Sequence, residues 1–140
     1  MSETSEKTRA LVQKFIQLDE AGDFEACYRM LNPDSSYTLI GQTKISGTYH
    51  GPDDVFKRLA PLLSHFKVRP QMKFSEVLVD GDRAFLRASS TGGVGTYGPY
   101  EQPYYGFYLR VEGEGFAELV EYLDPTQLDV FLFGKKLVDA

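Results

Sequence analysis

A single carboxylate stands in an apolar row near the end of this chain. In the run Phe116-Ala117-Glu118-Leu119-Val120-Glu121-Tyr122-Leu123-Asp124, residues 117, 119, 121 and 123 share one face of an extended strand, because side chains alternate with period two. They read Ala, Leu, Glu, Leu. A carboxyl set among apolar neighbours has its charged form disfavoured, so its pKa rises toward the range in which it can give and take protons. That chemistry points to Glu121. The competing face reads Phe116, Glu118, Val120, Tyr122, Asp124, so periodicity alone leaves open which face is inside. Asp124 is the second acid to weigh, although Pro125 behind it suits a strand end and a turn.

Other chemistry-bearing residues are weaker candidates. Gly93-Val94-Gly95-Thr96-Tyr97-Gly98 spells G-x-G-x-x-G, yet a dinucleotide site needs a helix to start there with its N-terminus on the pyrophosphate. Pro99 and Pro103 in an aromatic, strand-like run argue against that helix, and a mobile glycine-rich loop at a cavity mouth is the better expectation. His50 and His65 are 15 residues apart with no cysteine at ligand spacing, so no metal is expected. His50 reads as a rim residue and His65 as a helix C-terminal one. Tyr100, Tyr104, Tyr105 and Tyr108 spread over both strand faces, so about half should face inward. There they would either pack as ordinary sheet residues or stack on a planar aromatic or polycyclic compound. Tyr28, Tyr37, Tyr49 and Tyr122 fit a core with hydroxyls at a polar edge. Arg83, Arg87 and Arg110 read as surface partners for nearby acids.

The elements that must position these groups are legible in outline. Leu11, Val12, Phe15, Ile16 and Leu18 form a helical stripe over residues 5–20. Ala21-Gly22-Asp23 closes that helix and caps a short one from Phe24 to Leu31, ended by Asn32-Pro33. Ser36 to Ile40 is rich in strand formers, and Lys44 to Tyr49 is hairpin-like. Gly51-Pro52-Asp53-Asp54 opens a helix running to Phe66, with a kink expected at Pro61. Strands near 67–79 and 83–92 flank the turn Asp80-Gly81-Asp82. A long hairpin turning at Glu112-Gly113-Glu114-Gly115 follows, and Val130-Phe131-Leu132-Phe133 reads as a last edge element. Helices gathered beside four long antiparallel strands make an α+β layer fold. A bent sheet over a helix leaves a conical space for a small ligand.

The 140 residues suit one domain, 1–140, with 42% hydrophobic and 25% charged residues. A net charge of -5 argues against nucleic acid as a partner. No apolar run reaches the roughly 20 residues that span a bilayer. The polar start, Met1 to Ala10, lacks a signal-peptide core. The single Cys27 excludes an internal disulfide and reads as a small core residue. A cytoplasmic protein without membrane or nucleic-acid partners is expected.

This order of elements resembles the nuclear-transport-factor-2-like superfamily, the cystatin-like cone. The resemblance is carried by Phe15-Ile16-Gln17-Leu18-Asp19-Glu20-Ala21-Gly22-Asp23-Phe24-Glu25-Ala26, by Gly51-Pro52-Asp53-Asp54 and by Glu121-Tyr122-Leu123-Asp124-Pro125. From Phe15 to Ile40 it is similar to ketosteroid isomerase without a gap. The isomerase's oxyanion Tyr, general-base Asp and second oxyanion acid then fall on Phe15, on Leu39 and near Phe107. None of these can do that work, so ketosteroid isomerisation is excluded and the three become candidate cavity walls. The chain is closer to SnoaL-like polyketide cyclases and the phenazine-biosynthesis A/B proteins, whose acid on the last long strand falls on Glu121. The phenazine proteins' helical His falls near Arg58.

The resemblance implies a cofactor-free acid/base enzyme, a cyclase, isomerase or dehydratase, acting on a small apolar or polycyclic carbonyl or hydroxyl compound. Glu121, Asp124 and Arg58 are its candidate catalytic groups. Phe15, Leu39, Tyr104, Phe107, Leu119 and Leu123 are its candidate ligand contacts. The alternative is a non-catalytic ligand-binding or dimerisation domain of the same fold. A homodimer through the outer sheet face is expected, since exposed aromatic strands seek cover.

Overall fold

Ser2 starts the first helix. Its hydroxyl accepts the Ser5 N–H at 3.0 Å, and Glu3 and Glu6 lie at the positive end of the helix dipole. The computed structural model describes residues 2–140. In it, helix α1 (Glu3–Glu20) buries Ser5, Thr8, Val12, Phe15 and Asp19, a stripe spaced by three and four residues. Gly22 takes a left-handed φ of 79°, and the Asp23 carboxylate accepts the Ala26 N–H to cap α2 (Phe24–Arg29).

Strand β1 (Leu31–Leu39) follows at once. Asn32 and Pro33 therefore lie inside a strand rather than ending a helix. Pairing shifts between Leu31 and Ser36, an irregularity that admits a proline with no ladder N–H. Next come β2 (Gly47–His50) and α3 (Gly51–Asp54). The helix runs on as a π turn (Val55–Leu59) and a 3-10 turn (Ala60–His65). Pro61 cannot donate to the residue four back, and the winding changes there rather than the axis simply kinking. Strands β3 (Phe66–Val68), β4 (Gln71–Asp80), β5 (Arg83–Gly95), β6 (Gly98–Glu112) and β7 (Gly115–Tyr122) complete the sheet.

The strands form one curved sheet in the order β2-β1-β7-β6-β5-β3, with β4 also pairing β5. The fold is α+β, as expected, but the sheet is mixed: β1 and β7 run parallel, and every other pair is antiparallel. The chain returns through the whole hairpin ladder before β7 slots in between β1 and β6.

Two expectations are corrected near the C-terminus. Residues 130–133 do not form an edge strand. A short helix α4 (Pro125–Gln127) leads into a π turn (Leu128–Leu132) that buries Leu128 and Leu132. The glycine-rich segment is no open loop but a two-residue hairpin turn at Thr96-Tyr97. The Tyr97 N–H donates to the Phe131 carbonyl at 2.9 Å, and a Cβ on Gly95 would collide with that same carbonyl. Gly95 is thus what lets the terminal turn seat on the hairpin. No helix starts at Gly98, so the glycine pattern cradles no phosphate.

Between the helices and the inner sheet face, Phe15 meets Phe74, Phe107 and Phe116 edge-on with ring centroids 5.7–6.2 Å apart. Phe15 and Phe107 of this aromatic knot form part of the wall of a cavity between helices and sheet.

Candidate functional site

The strand-face ambiguity around Glu121 has a physical origin. Val111 pairs with Phe116 and Arg110 with Glu118, which leaves Ala117 as an extra residue on β7. Such a bulge steps the side-chain alternation by one. Phe116 therefore points inward from one apparent face, while Leu119, Glu121 and Leu123 point inward from the other. Phe116, Leu119 and Leu123 are all buried.

Glu121 lines a cavity walled by Phe15, Leu39, Phe107, Leu119 and Leu123, five of the six residues assigned as ligand contacts from sequence, together with Tyr28, Tyr37, Tyr100 and Tyr105. Its interior offers about 80 Å³ to the centres of water-sized molecules. One water needs only ~10–15 Å³ on that measure, so the space suits several waters or one small ligand. Arg69 is exposed, and its guanidinium lies 5.0 Å from the centre of the Phe24 ring. Both residues line the cavity, which therefore opens to solvent beside them.

The Tyr37 hydroxyl donates to Glu121 Oε1 at 2.7 Å. Pairing of β1 with β7 sets Leu39 opposite Glu121 and Tyr37 opposite Leu119, so the tyrosine reaches along the sheet. Glu121 keeps some accessible surface, but that surface is cavity wall. Burial pushes its carboxyl up from the ordinary value, and the hydroxyls of Tyr37 and Tyr105 pull it part of the way back. Tyr37 is held well above the usual phenol range by burial first and the Glu121 charge second. It stays a donor.

Sequence reasoning missed Asp19. It is only 6% exposed and lines the same cavity from α1. Burial, with the charges of Glu121 and Glu20, raises its pKa from 3.8 to about 8. The signal was available: the buried stripe through Val12 and Phe15 continues by four to Asp19. Gln102 was missed as well. Fully buried on β6, it donates to the Tyr100 hydroxyl and the Asp124 carbonyl, both at 2.9 Å, and accepts the Asp124 N–H at 2.9 Å. It clamps the end of β7 beside the cavity.

Three sequence candidates do not reach the cavity. Asp124 is exposed, and its carboxylate accepts the Thr126 N–H to cap α4. Arg58 is exposed too, paired with Asp54 one helical turn back, bonded to the Thr48 carbonyl at 3.0 Å and stacked on Tyr49. Val55 and Leu59 take the buried side of that helical segment, and Arg58 lies outside it. Tyr104 is 81% exposed; its neighbour Tyr105 holds the inward position. Tyr122 is likewise outside the core, beside Phe85 on the outer sheet face. His50 is exposed, and His65 packs against Phe133. Among the described residues, no three His, Cys, Asp or Glu side chains gather to hold a metal, and no helix is long and apolar enough to cross a membrane.

No protein-family model matches the sequence, and no curated protein matches it. Solved structures do. A nuclear-transport-factor-2-like protein of unknown function from Burkholderia pseudomallei is 16% identical, with a TM-score of 0.76 over 94% of this chain and 98% of its own. A candidate SnoaL-like polyketide cyclase from Jannaschia is 13% identical, with a TM-score of 0.73 over 97% and 98%. A candidate ketosteroid isomerase from Kribbella flavida is 19% identical, with a TM-score of 0.64 over 86% and 79%. At these identities the likeness establishes the architecture and leaves the chemistry to the cavity.

Proposed function

We propose that this chain, which has the nuclear-transport-factor-2-like fold, is a cofactor-free acid/base enzyme acting on a small apolar carbonyl or hydroxyl compound. The observation that carries the reading is the Glu121 carboxyl inside an apolar cavity, steadied by the Tyr37 hydroxyl at 2.7 Å. A carboxyl with a raised pKa is a stronger base once ionised than an ordinary one. It removes a proton from carbon beside a carbonyl, and the electron pair moves onto the carbonyl oxygen. Tyr28 lies in the same cavity and supplies a hydroxyl donor for that oxygen. Return of the proton to another carbon completes an isomerisation. Loss of a hydroxyl with the proton gives a dehydration, and attack on a second carbonyl a cyclisation.

The size of the cavity favours a monocyclic over a polycyclic compound. The rival reading is binding without turnover. What favours it is the wall: apart from the two carboxyls it is mostly apolar and aromatic, and its one cation, Arg69, is exposed.

The test is deuterium uptake from heavy water into a panel of small cyclic ketones, followed by NMR. Wild type should exchange the protons beside the carbonyl. Glu121→Gln, which keeps shape and polarity but cannot accept the proton, should slow exchange by about a hundred-fold or more. Equal exchange by both proteins would remove Glu121 from the chemistry, and no exchange by wild type on any ketone would favour binding alone.

A further inference from the structure

Asp19 is an expensive residue to keep where it is. The residue is only 6% exposed, lines the cavity, and its carboxyl accepts no hydrogen bond or ion pair from any described side chain or backbone group. Glu121 faces the same space from β7, and the two are near enough for the Glu121 charge to act on Asp19. Uncompensated buried acids cost several kcal/mol unless something neutralises them. A retained proton neutralises Asp19 at neutral pH, but no cation of the protein does: the one basic residue at the cavity, Arg69, is exposed at the mouth and turned onto Phe24.

The rest of the wall narrows what could neutralise them. Tyr28 and Tyr37 set their rings 5.8 Å apart, and Tyr105 stacks flat on Phe107 at 5.4 Å. Aromatic faces attract a cation, most strongly where water is excluded. An anionic ligand would meet two acids and no buried positive group. A neutral ligand would leave Asp19 holding its proton and would draw nothing from the charge the two acids can carry.

We infer that the cavity takes a small ligand bearing a positively charged nitrogen ringed by apolar groups, seated between the carboxylates of Asp19 and Glu121 and against the tyrosine faces. The inference rests on the cavity being the ligand site proposed above and narrows its occupant from an apolar compound at large to one that also carries a cationic nitrogen. Binding draws both acids into their ionised forms, so the ligand displaces protons on entry. The groups facing Asp19 are Glu20 on its own helix, Cys27 and Tyr28 of α2, Tyr105 of β6 and Glu121 of β7. Cys27, Tyr28 and Tyr105 are all raised by burial and remain neutral, so the two carboxyls carry the pH response.

Calorimetry with choline and with its uncharged, same-shaped analogue 3,3-dimethylbutan-1-ol separates charge from fit. Choline should bind wild type at least about tenfold tighter than the alcohol, consistent with a desolvated cation on aromatic rings. Its affinity should rise from pH about 6 to about 9 with proton release, because the cation binds the ionised acids. Asp19→Asn should weaken choline by about tenfold or more and the alcohol far less, with thermal melting confirming that the variant is folded. Equal binding of choline and the alcohol, no choline binding, or an indifferent Asp19→Asn would each overturn the inference. The outcome is independent of the exchange assay. Choline binding without exchange removes the enzyme and keeps the ligand class; exchange without preference for choline does the reverse.

Discussion

Asp19→Asn should make the protein more stable, and by an amount that depends on pH. Aspartate ionises near 3.8 in the unfolded chain, whereas in the fold burial and the Glu121 and Glu20 charges hold Asp19 to about 8. Between those values the folded state keeps a proton that the unfolded state releases, so raising the pH favours unfolding. Each pH unit in that window costs ~1.4 kcal/mol. At pH 7 the penalty reaches about 4 kcal/mol, and it levels off above pH about 8. Asparagine mimics the protonated acid in shape and polarity and escapes the penalty. The gain of the variant should therefore be near zero at pH about 4 and rise steadily, reaching on the order of 10 °C in melting temperature at pH 7. Denaturant titrations of both proteins across this range provide the measurement. In a Glu121→Gln background the gain should shrink, since one of the charges that raises Asp19 is gone. A gain that does not change with pH, or a variant less stable than wild type at pH 7, would refute the reasoning.

Tyr37→Phe removes the donor that favours the ionised Glu121, so the carboxyl should titrate at still higher pH than in wild type, read by carbon-13 NMR and assigned with Glu121→Gln; an unchanged titration would show that the 2.7 Å contact does not govern the acid. We also propose that two copies pair through the outer sheet face, where Leu78, Phe85 and Tyr122 stay exposed and Phe85 lies across Gly106. Phe85→Lys with Tyr122→Lys should turn a dimer into a monomer in sedimentation, and a wild type that is monomeric at high concentration would end that proposal.

The architecture was largely readable because its signals are local. Gly22 and Asp23, and Gly81 and Gly113 mark stops, starts and turns within a few residues, and the periodicity of α1 needs no distant partner. What was not readable depends on pieces far apart in sequence. The parallel pairing of β1 with β7 leaves no trace in either strand. Val130 to Phe133 have strand-forming side chains, but their place is decided by the seat that Gly95 and Tyr97 provide. Within the site, Glu121 was visible as a charge in an apolar row, although the bulge at Ala117 hid which row faced in. Asp19 went unseen because an acid on an amphipathic helix is ordinarily assigned to water. Arg58 and Tyr104 were placed wrongly for a simpler reason: a residue equivalent in order need not be equivalent in direction, and one step along a strand separates Tyr104 from Tyr105.

The position of β7 also bears on how the molecule is made. Tyr37 and Glu121 lie 84 residues apart in the chain, and the strand that carries the acid is inserted between two already synthesised neighbours. A nascent chain that has reached β6 has the tyrosine but no acid on the sheet, and it presents two unpaired edges, one on β1 and one on β6. Such edges invite pairing with other chains, and contacts of this span form slowly. Arrival of β7 closes both edges and completes the pocket in the same event. Competence to bind is therefore acquired all at once and late in biogenesis, and a chain truncated ahead of Gly115 would be without its site and prone to aggregate.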